Sequence, residues 1–456
     1  MDISMAERTQ THRHESYKWI LLLTATAVTM IDFGLVFSFG TMFVTMMETF
    51  QTGRAATATV QSILIGVTLG FGAVSGVIVS KVGLPVATFV ASLMVPLGFC
   101  LSFFANEVVI IYFTIGLVSG IGISLAYISC VVAIDCEFSE SQRTLCLSIL
   151  NTSYVVASIA YPYCLEWLTE QYGLKGTFLI LGGFTLNTLV LFVMCFINRE
   201  KSKNNKTFAR QDAENDYNVP LKEREPFKFL RYRISNAFLD FKKYLSTPYL
   251  FILVATGILL SSLDGYLALM LDIALWKQID SSRALISFVI YSSFTAGSCL
   301  VPGLLKQKKG INSCAYPIFS SLTGAIGMMI IYFANDHITF MTGTSLVGVG
   351  CGGILSSSMN AAVKIVEIEF VPVATGLLLT VNGLLSVGTG PLFGWLRDTT
   401  SSYRSVLIII MTLHGVSAVL YMLALIFRRL DKTKAKQNNI QHTESQERNM
   451  NDALLF

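Results

Sequence analysis

The feature that most restricts this chain is a series of apolar blocks, each long enough to cross a lipid bilayer. A hydrocarbon core of about 30 Å needs about 20 apolar residues in helical form. Blocks of that kind fall at about 18–47, 58–80, 84–104, 107–134, 144–168, 174–197, 248–276, 284–305, 313–334, 338–363, 372–396 and 404–427. They do not alternate polar and apolar at period two, so barrel strands are not indicated. A backbone inside lipid must satisfy its own polar groups, and a helix does so within one segment. The expected fold class is therefore an all-α membrane protein with twelve transmembrane helices. Only 14% of the 456 residues are charged and 53% are hydrophobic, against about 25% charged in an ordinary soluble domain.

The polar stretches divide the blocks. Residues 1–17 are polar and read as a cytosolic N-terminus. The first apolar run is too long for the core of a cleavable signal peptide. The longest interruption, 198–247, separates blocks six and seven. Its first half has the composition of a disordered segment. From Pro226 it mixes bases with Phe227, Phe229, Tyr232, Phe238 and Phe241, which suggests an amphipathic helix on the membrane surface. The expected organisation is a six-helix bundle over 18–197, a cytosolic linker over 198–247, a second bundle over 248–427 and a disordered cytosolic tail over 428–456.

Basic residues set the expected orientation. With both termini in the cytosol, 27 of the 33 Lys and Arg lie on cytosolic segments. Six face outward: Arg54, Lys175, Lys277, Arg283, Arg397 and Arg404. Cytosolic loops carry the excess of Lys and Arg in multi-pass proteins. The bias keeps its sign, at nine against six, when the linker and tail are left out.

The two halves look related. Block four runs LVSGIGISLAYISCVVAIDCE over 117–137, and block ten runs LVGVGCGGILSSSMNAAVKIVE over 346–367. Block five ends with Pro162 followed by Trp167, and block eleven with Pro391 followed by Trp395. Paired six-helix halves are the pattern of major facilitator proteins, in which the substrate site lies between the halves near mid-membrane. Gly66, Gly70, Gly72, Gly76, Gly116 and Gly120 recur at spacings that let helix backbones approach closely.

A charged side chain within a span is costly and usually marks a pathway, a relay or a ligand contact. Asp32 lies in block one and Asp264 in block seven, at equivalent places in the two halves, and each is followed within two residues by glycine. Both are candidate substrate-binding and proton-coupling groups, or ligands for a cationic substrate. The plainer reading of either is an acid hydrogen-bonded at a helix break. Asp272, nearer the outer end, reads as structural. Buried amides and hydroxyls need partners, which a polar cavity or a neighbouring helix supplies. From these, Tyr127, Asn151, Ser293, Asn360 and Asn382 complete the candidate substrate-binding set.

Other chemistries leave no trace. There is no P-loop and no dinucleotide fingerprint after a strand. The nine cysteines are scattered, without metal-ligand spacing. No catalytic residue, metal, cofactor or nucleic-acid partner is expected, and the chain does not read as an enzyme.

Three stretches resemble the monocarboxylate transporter family. Tyr172-Gly-Leu-Lys-Gly through Asn187 is similar to that family's sixth-helix segment, Phe138–Leu145 to its fifth-helix signature, and Ala374 through Asp398 to its eleventh helix. The resemblance covers about residues 15–430. It implies the major facilitator fold, a place in the plasma membrane, symport of a small organic acid, and an ancillary single-span subunit. The family's proton-coupled carriers hold a lysine on helix one and an Asp and an Arg on helix eight. Here no lysine lies near Phe39-Gly40-Thr41, and block eight carries no charge after Arg283.

The expected function is a secondary transporter moving a small organic solute by alternating access. The solute is monocarboxylate-like, or a related neutral, zwitterionic or aromatic molecule. The alternative is a transporter-shaped sensor or partner for another membrane protein.

Overall fold

The computed structural model describes residues 2–138, 140–193, 247–305, 315–363 and 371–454. Among these, ten helical segments are long and apolar enough to cross a membrane. The pair Arg54–Gly70 and Gly72–Val79, bent by 44°, makes an eleventh span. The segment Leu145–Val193 holds 49 residues, more than twice what one crossing needs. It is divided at Gly173, whose φ of 65° and ψ of 174° are not helical, and it therefore supplies the fifth and sixth spans. The twelve expected crossings are accounted for in this way.

The first span is Lys18–Phe50, the second is the bent pair, the third is Leu84–Ser102 and the fourth is Val108–Ile134. The seventh to twelfth are Thr247–Trp276, Ser281–Val301, Tyr316–Phe333, His337–Ser358, Gly376–Thr400 and Arg404–Leu430. The linker expected over 198–247 lies outside the described residues except for Thr247. The tail departs from its expected disorder, because the last helix runs unbroken from Arg404 to Leu454. No glycine or proline follows Gly415, and Lys, Gln, Glu and Ala are good helix formers. The same reasoning covers the first helix, which starts at Asp2.

Large apolar side chains lie on the outside of both bundles, among them Phe89, Leu97, Phe113, Phe319 and Ile326. Such a surface suits lipid and not water. Trp19, Trp167, Tyr172 and Trp395 are more than half exposed and sit close to span ends, where amphipathic rings settle at the interface.

The bundles are tied internally by short polar contacts. Thr29 pairs with Ser153 at 2.9 Å, joining the first and fifth spans. Thr256 pairs with the Tyr421 hydroxyl at 2.8 Å, joining the seventh and twelfth. Between the bundles the second span packs on the eleventh and the fifth on the eighth. Under a six-span repeat, second maps to eighth and eleventh to fifth, so the two contacts are equivalents.

The second and eleventh spans touch most closely through glycine. A Cβ at Gly394 would stand 2.7 Å from Ala55 Cα, and one at Gly383 would run into the backbone of Gly66 and Gly70. The first and seventh spans also cross closely, since a Cβ at Gly40 would lie 2.6 Å from the Leu267 carbonyl oxygen. Contact then fades along the second and eleventh spans. A Cβ at Gly70 first meets atoms at 3.9 Å, and one at Gly76 or Gly376 meets nothing within 4 Å. The bundles are thus joined at the end holding Arg54 and Asp398, and these two spans part towards the end holding Lys81.

Candidate functional site

The joined end is fastened by charge. Arg54 opens the second span in one bundle. Its Nε lies 2.5 Å from Asp272 Oδ2 on the seventh span, and its Nη1 lies 3.7 Å from Asp398 Oδ1 at the end of the eleventh. Tyr403 donates its hydroxyl to Asp272 as well, and the Arg397 guanidinium lies 5.3 Å over the Tyr403 ring. Asp272 is therefore structural in the sense expected, but its partner sits on the opposite bundle.

The second part of the site lies deeper, where the bundles face each other. Asp264 is 8% exposed. Its Oδ2 accepts a hydrogen bond of 2.5 Å from Ser386 on the eleventh span. Ser386 Oγ also lies 2.9 Å from the Asn382 carbonyl and 3.3 Å from its side-chain oxygen. This joins two expected residues, Asp264 and Asn382, through a serine that sequence reading passed over. Tyr154 of the fifth span lies within electrostatic reach of Asp264, Tyr127, Cys299 and Cys351. Tyr291 of the eighth lies within reach of Asp264 and Cys351.

Aromatic rings of the first bundle line the approach. Phe37 stacks on Tyr154 with centroids 5.2 Å apart and planes at 10°. Phe33 lies 4.8 Å from Tyr127 and 5.4 Å from Tyr154. The Tyr127 hydroxyl donates to Asn151 Oδ1 at 2.9 Å, so these two expected residues form a pair. A cavity of about 20 Å³ lies between the bundles, lined by Phe37, Val155 and Ser158 on one side and by Leu267, Phe288, Tyr291, Ser292, Thr295, Cys351 and Leu355 on the other. That is room for about one water molecule.

The remaining expected residues fall elsewhere. Asp32 is 2% exposed, and neither of its side-chain oxygens has a hydrogen-bond partner among the described residues. It sits within electrostatic reach of Tyr161, whose hydroxyl donates to the Ile31 carbonyl at 3.1 Å. The structure does not join it to the Asp264 cluster. Ser293 is exposed and donates to Val289 in its own helix at 2.8 Å. It lies off the stripe formed by Phe288, Tyr291, Ser292 and Thr295, whose helical spacing was the available signal. The side chain of Asn360 lies outside the described residues. No group of three His, Cys, Asp or Glu is placed to hold a metal among those described.

Comparison with known proteins agrees with this architecture. The model of the Major Facilitator Superfamily matches residues 22–322 and 316–449, and the chain belongs to that superfamily. Among curated relatives, Monocarboxylate transporter 9 of Rattus norvegicus is 23% identical over 448 residues, spanning 84% of this chain and 88% of the relative. Monocarboxylate transporter 2 of Mus musculus is 24% identical over 401 residues, spanning 87% and 81%. Among solved structures, the xylose transporter XylE from E. coli in a partially occluded inward open conformation superposes with a TM-score of 0.67. It is 12% identical and covers 89% of this chain and 97% of that one. That likeness is one of fold alone. The chain is a multi-pass secondary transporter and not an enzyme.

Proposed function

We propose that this transporter moves a small organic solute by alternating access, with the Asp264–Ser386–Asn382 cluster and the facing Tyr127–Asn151 pair forming the solute site. The observation that carries this reading is the unequal contact between the bundles. They are closed by ion pairs and glycine packing at one end, the second and eleventh spans part towards the other, and a buried polar cluster lies between. A site reached from one side at a time is what rocking of two bundles requires.

By the distribution of basic residues, the open end faces the cytosol with both termini, and the closed end faces outward. The family resemblance implies a place in the plasma membrane. Asp264 and Asp32 are the groups able to couple transport to protons. The solute is monocarboxylate-like or a related neutral, zwitterionic or aromatic molecule.

The test is uptake of a panel of labelled organic solutes into liposomes holding the purified protein, at two external pH values. Saturable uptake of at least one solute supports the reading. A protein that moves none of them, yet stably binds a second membrane protein, is a sensor or partner instead. Asp32→Asn should reduce the pH dependence of uptake. An unchanged profile removes Asp32 from proton coupling.

A further inference from the structure

We infer that the solute carries an ammonium group, which sits on Asp264 beside Tyr154 and Tyr291. This deepens the transport reading and rests on the central cluster being the solute site.

The charge inventory comes first. Every Lys and Arg outside the linker and termini falls at or near the end of a span. The middle of the membrane therefore holds the carboxyls of Asp32 and Asp264 and no Lys or Arg; its one imidazole, His414 of the twelfth span, is turned to the Ile410 carbonyl of its own helix and to Gly324 of the ninth span. Asp264 has a neutral hydrogen-bond donor, Ser386, and no ion pair among the described residues. A buried carboxylate with one neutral donor is poorly compensated and favours a partner of opposite charge. A bare carboxylate solute would meet like charge there and no cation to hold it.

The surrounding side chains fit the same partner. Tyr154 and Tyr291 both lie within electrostatic reach of Asp264 and belong to opposite bundles. Tyr291 is buried and lines the cavity between the bundles. Its hydroxyl lies within hydrogen-bond reach of the Cys351 thiol, and a phenolic oxygen that donates there keeps a lone pair able to accept an N–H from the solute. At about 20 Å³ the cavity that Phe37 and Tyr291 line is too small for an organic cation, so one reaches Tyr291 only as these two side chains separate. Binding is thereby linked to the relative position of the bundles.

The experiment uses the full chain in detergent and three probes of matched shape: benzylammonium, benzyl alcohol and benzoate. Thermal unfolding is followed with each, in potassium and in sodium buffer. Benzylammonium should raise the melting temperature saturably and the other two should not. Asp264→Asn should weaken that binding about tenfold or more, and Asp264→Glu should recover part of it. Stabilisation by benzoate, or by none of the three, overturns the assignment without recourse to any variant. Stabilisation by sodium alone, with no response to benzylammonium, shows an inorganic cation site and also overturns it. Liposome uptake of the same probes separates the two readings. Ammonium binding without uptake removes transport and leaves this assignment standing, whereas benzoate uptake without ammonium binding does the reverse.

Discussion

Arg54 and Asp272 meet across the two bundles, with 2.5 Å between Nε and Oδ2. The carboxylate side chain is 7% exposed and the guanidinium 27%, so the pair is screened less than a surface bridge. It is worth about 1–2 kcal/mol to the closed end. Arg54→Gln should therefore move the balance of the two ends about tenfold towards opening where the pair now lies. Spin labels at Gly53 and Thr399 would report this as a growing population at longer distance. A distribution unchanged by the substitution would show that the glycine contacts alone hold this end.

The glycines give a paired prediction. Gly383→Ala places a methyl group against the Gly66 and Gly70 backbones, which cannot move aside as a side chain can. A loss of about 1–3 kcal/mol is expected. Gly376→Ala meets nothing within 4 Å and should be neutral, or stabilising by up to about 1 kcal/mol through helix propensity. Thermal unfolding of both variants in the same detergent decides the matter. Equal effects would contradict the parting of the second and eleventh spans.

Tyr127→Phe keeps the ring facing Phe33 and removes the hydrogen bond to Asn151 Oδ1. The expected cost is about 1 kcal/mol. If Asn151 contacts the solute through the position that Tyr127 fixes, the apparent affinity for solute should fall while the amount of folded protein does not. Affinity identical to that of the parent chain would make the pair a helix–helix contact only.

Asp336 offers a pH prediction at the closed end. Its carboxylate accepts hydrogen bonds from the Thr339 side chain at 2.6 Å and backbone at 2.9 Å, capping the tenth span. Those bonds hold it below its ordinary value of 3.8. The sign follows from linkage: the cap's contribution is complete above that ordinary value and is lost as pH falls through the lower native one. Asp336→Ala should lower the melting temperature near neutrality, and the gap from the parent chain should close in acid. A gap that is constant with pH would mean that the loss lies in packing.

Much of the architecture could be read along the chain. Lipid demands long apolar helices whatever their neighbours, so the crossings were visible before any contact was known. Asp32 and Asp264 stood out because an isolated acid in an apolar run is rare. Ser386 did not, since one serine among many on spanning helices carries no signal until Asp264 is beside it. Ser293 misled for the same reason: its neighbour Ser292 faces the cavity, and one residue along a helix turns a side chain by about 100°. The tail was read as disordered from its polarity, although helix-forming residues without glycine or proline carry the helix on to Leu454.

The sequence by itself determined the number of crossings, their division into two matched sets and the bias in orientation, because the bilayer imposes length and polarity on each segment separately. Only the tertiary structure decided which end is closed, that Arg54 reaches Asp272 and Asp398, and that Ser386 and Asn382 meet Asp264 while Asp32 stands apart. Those facts depend on the rotation of each helix about its axis and on contacts between segments more than a hundred residues apart. Hydropathy constrains neither.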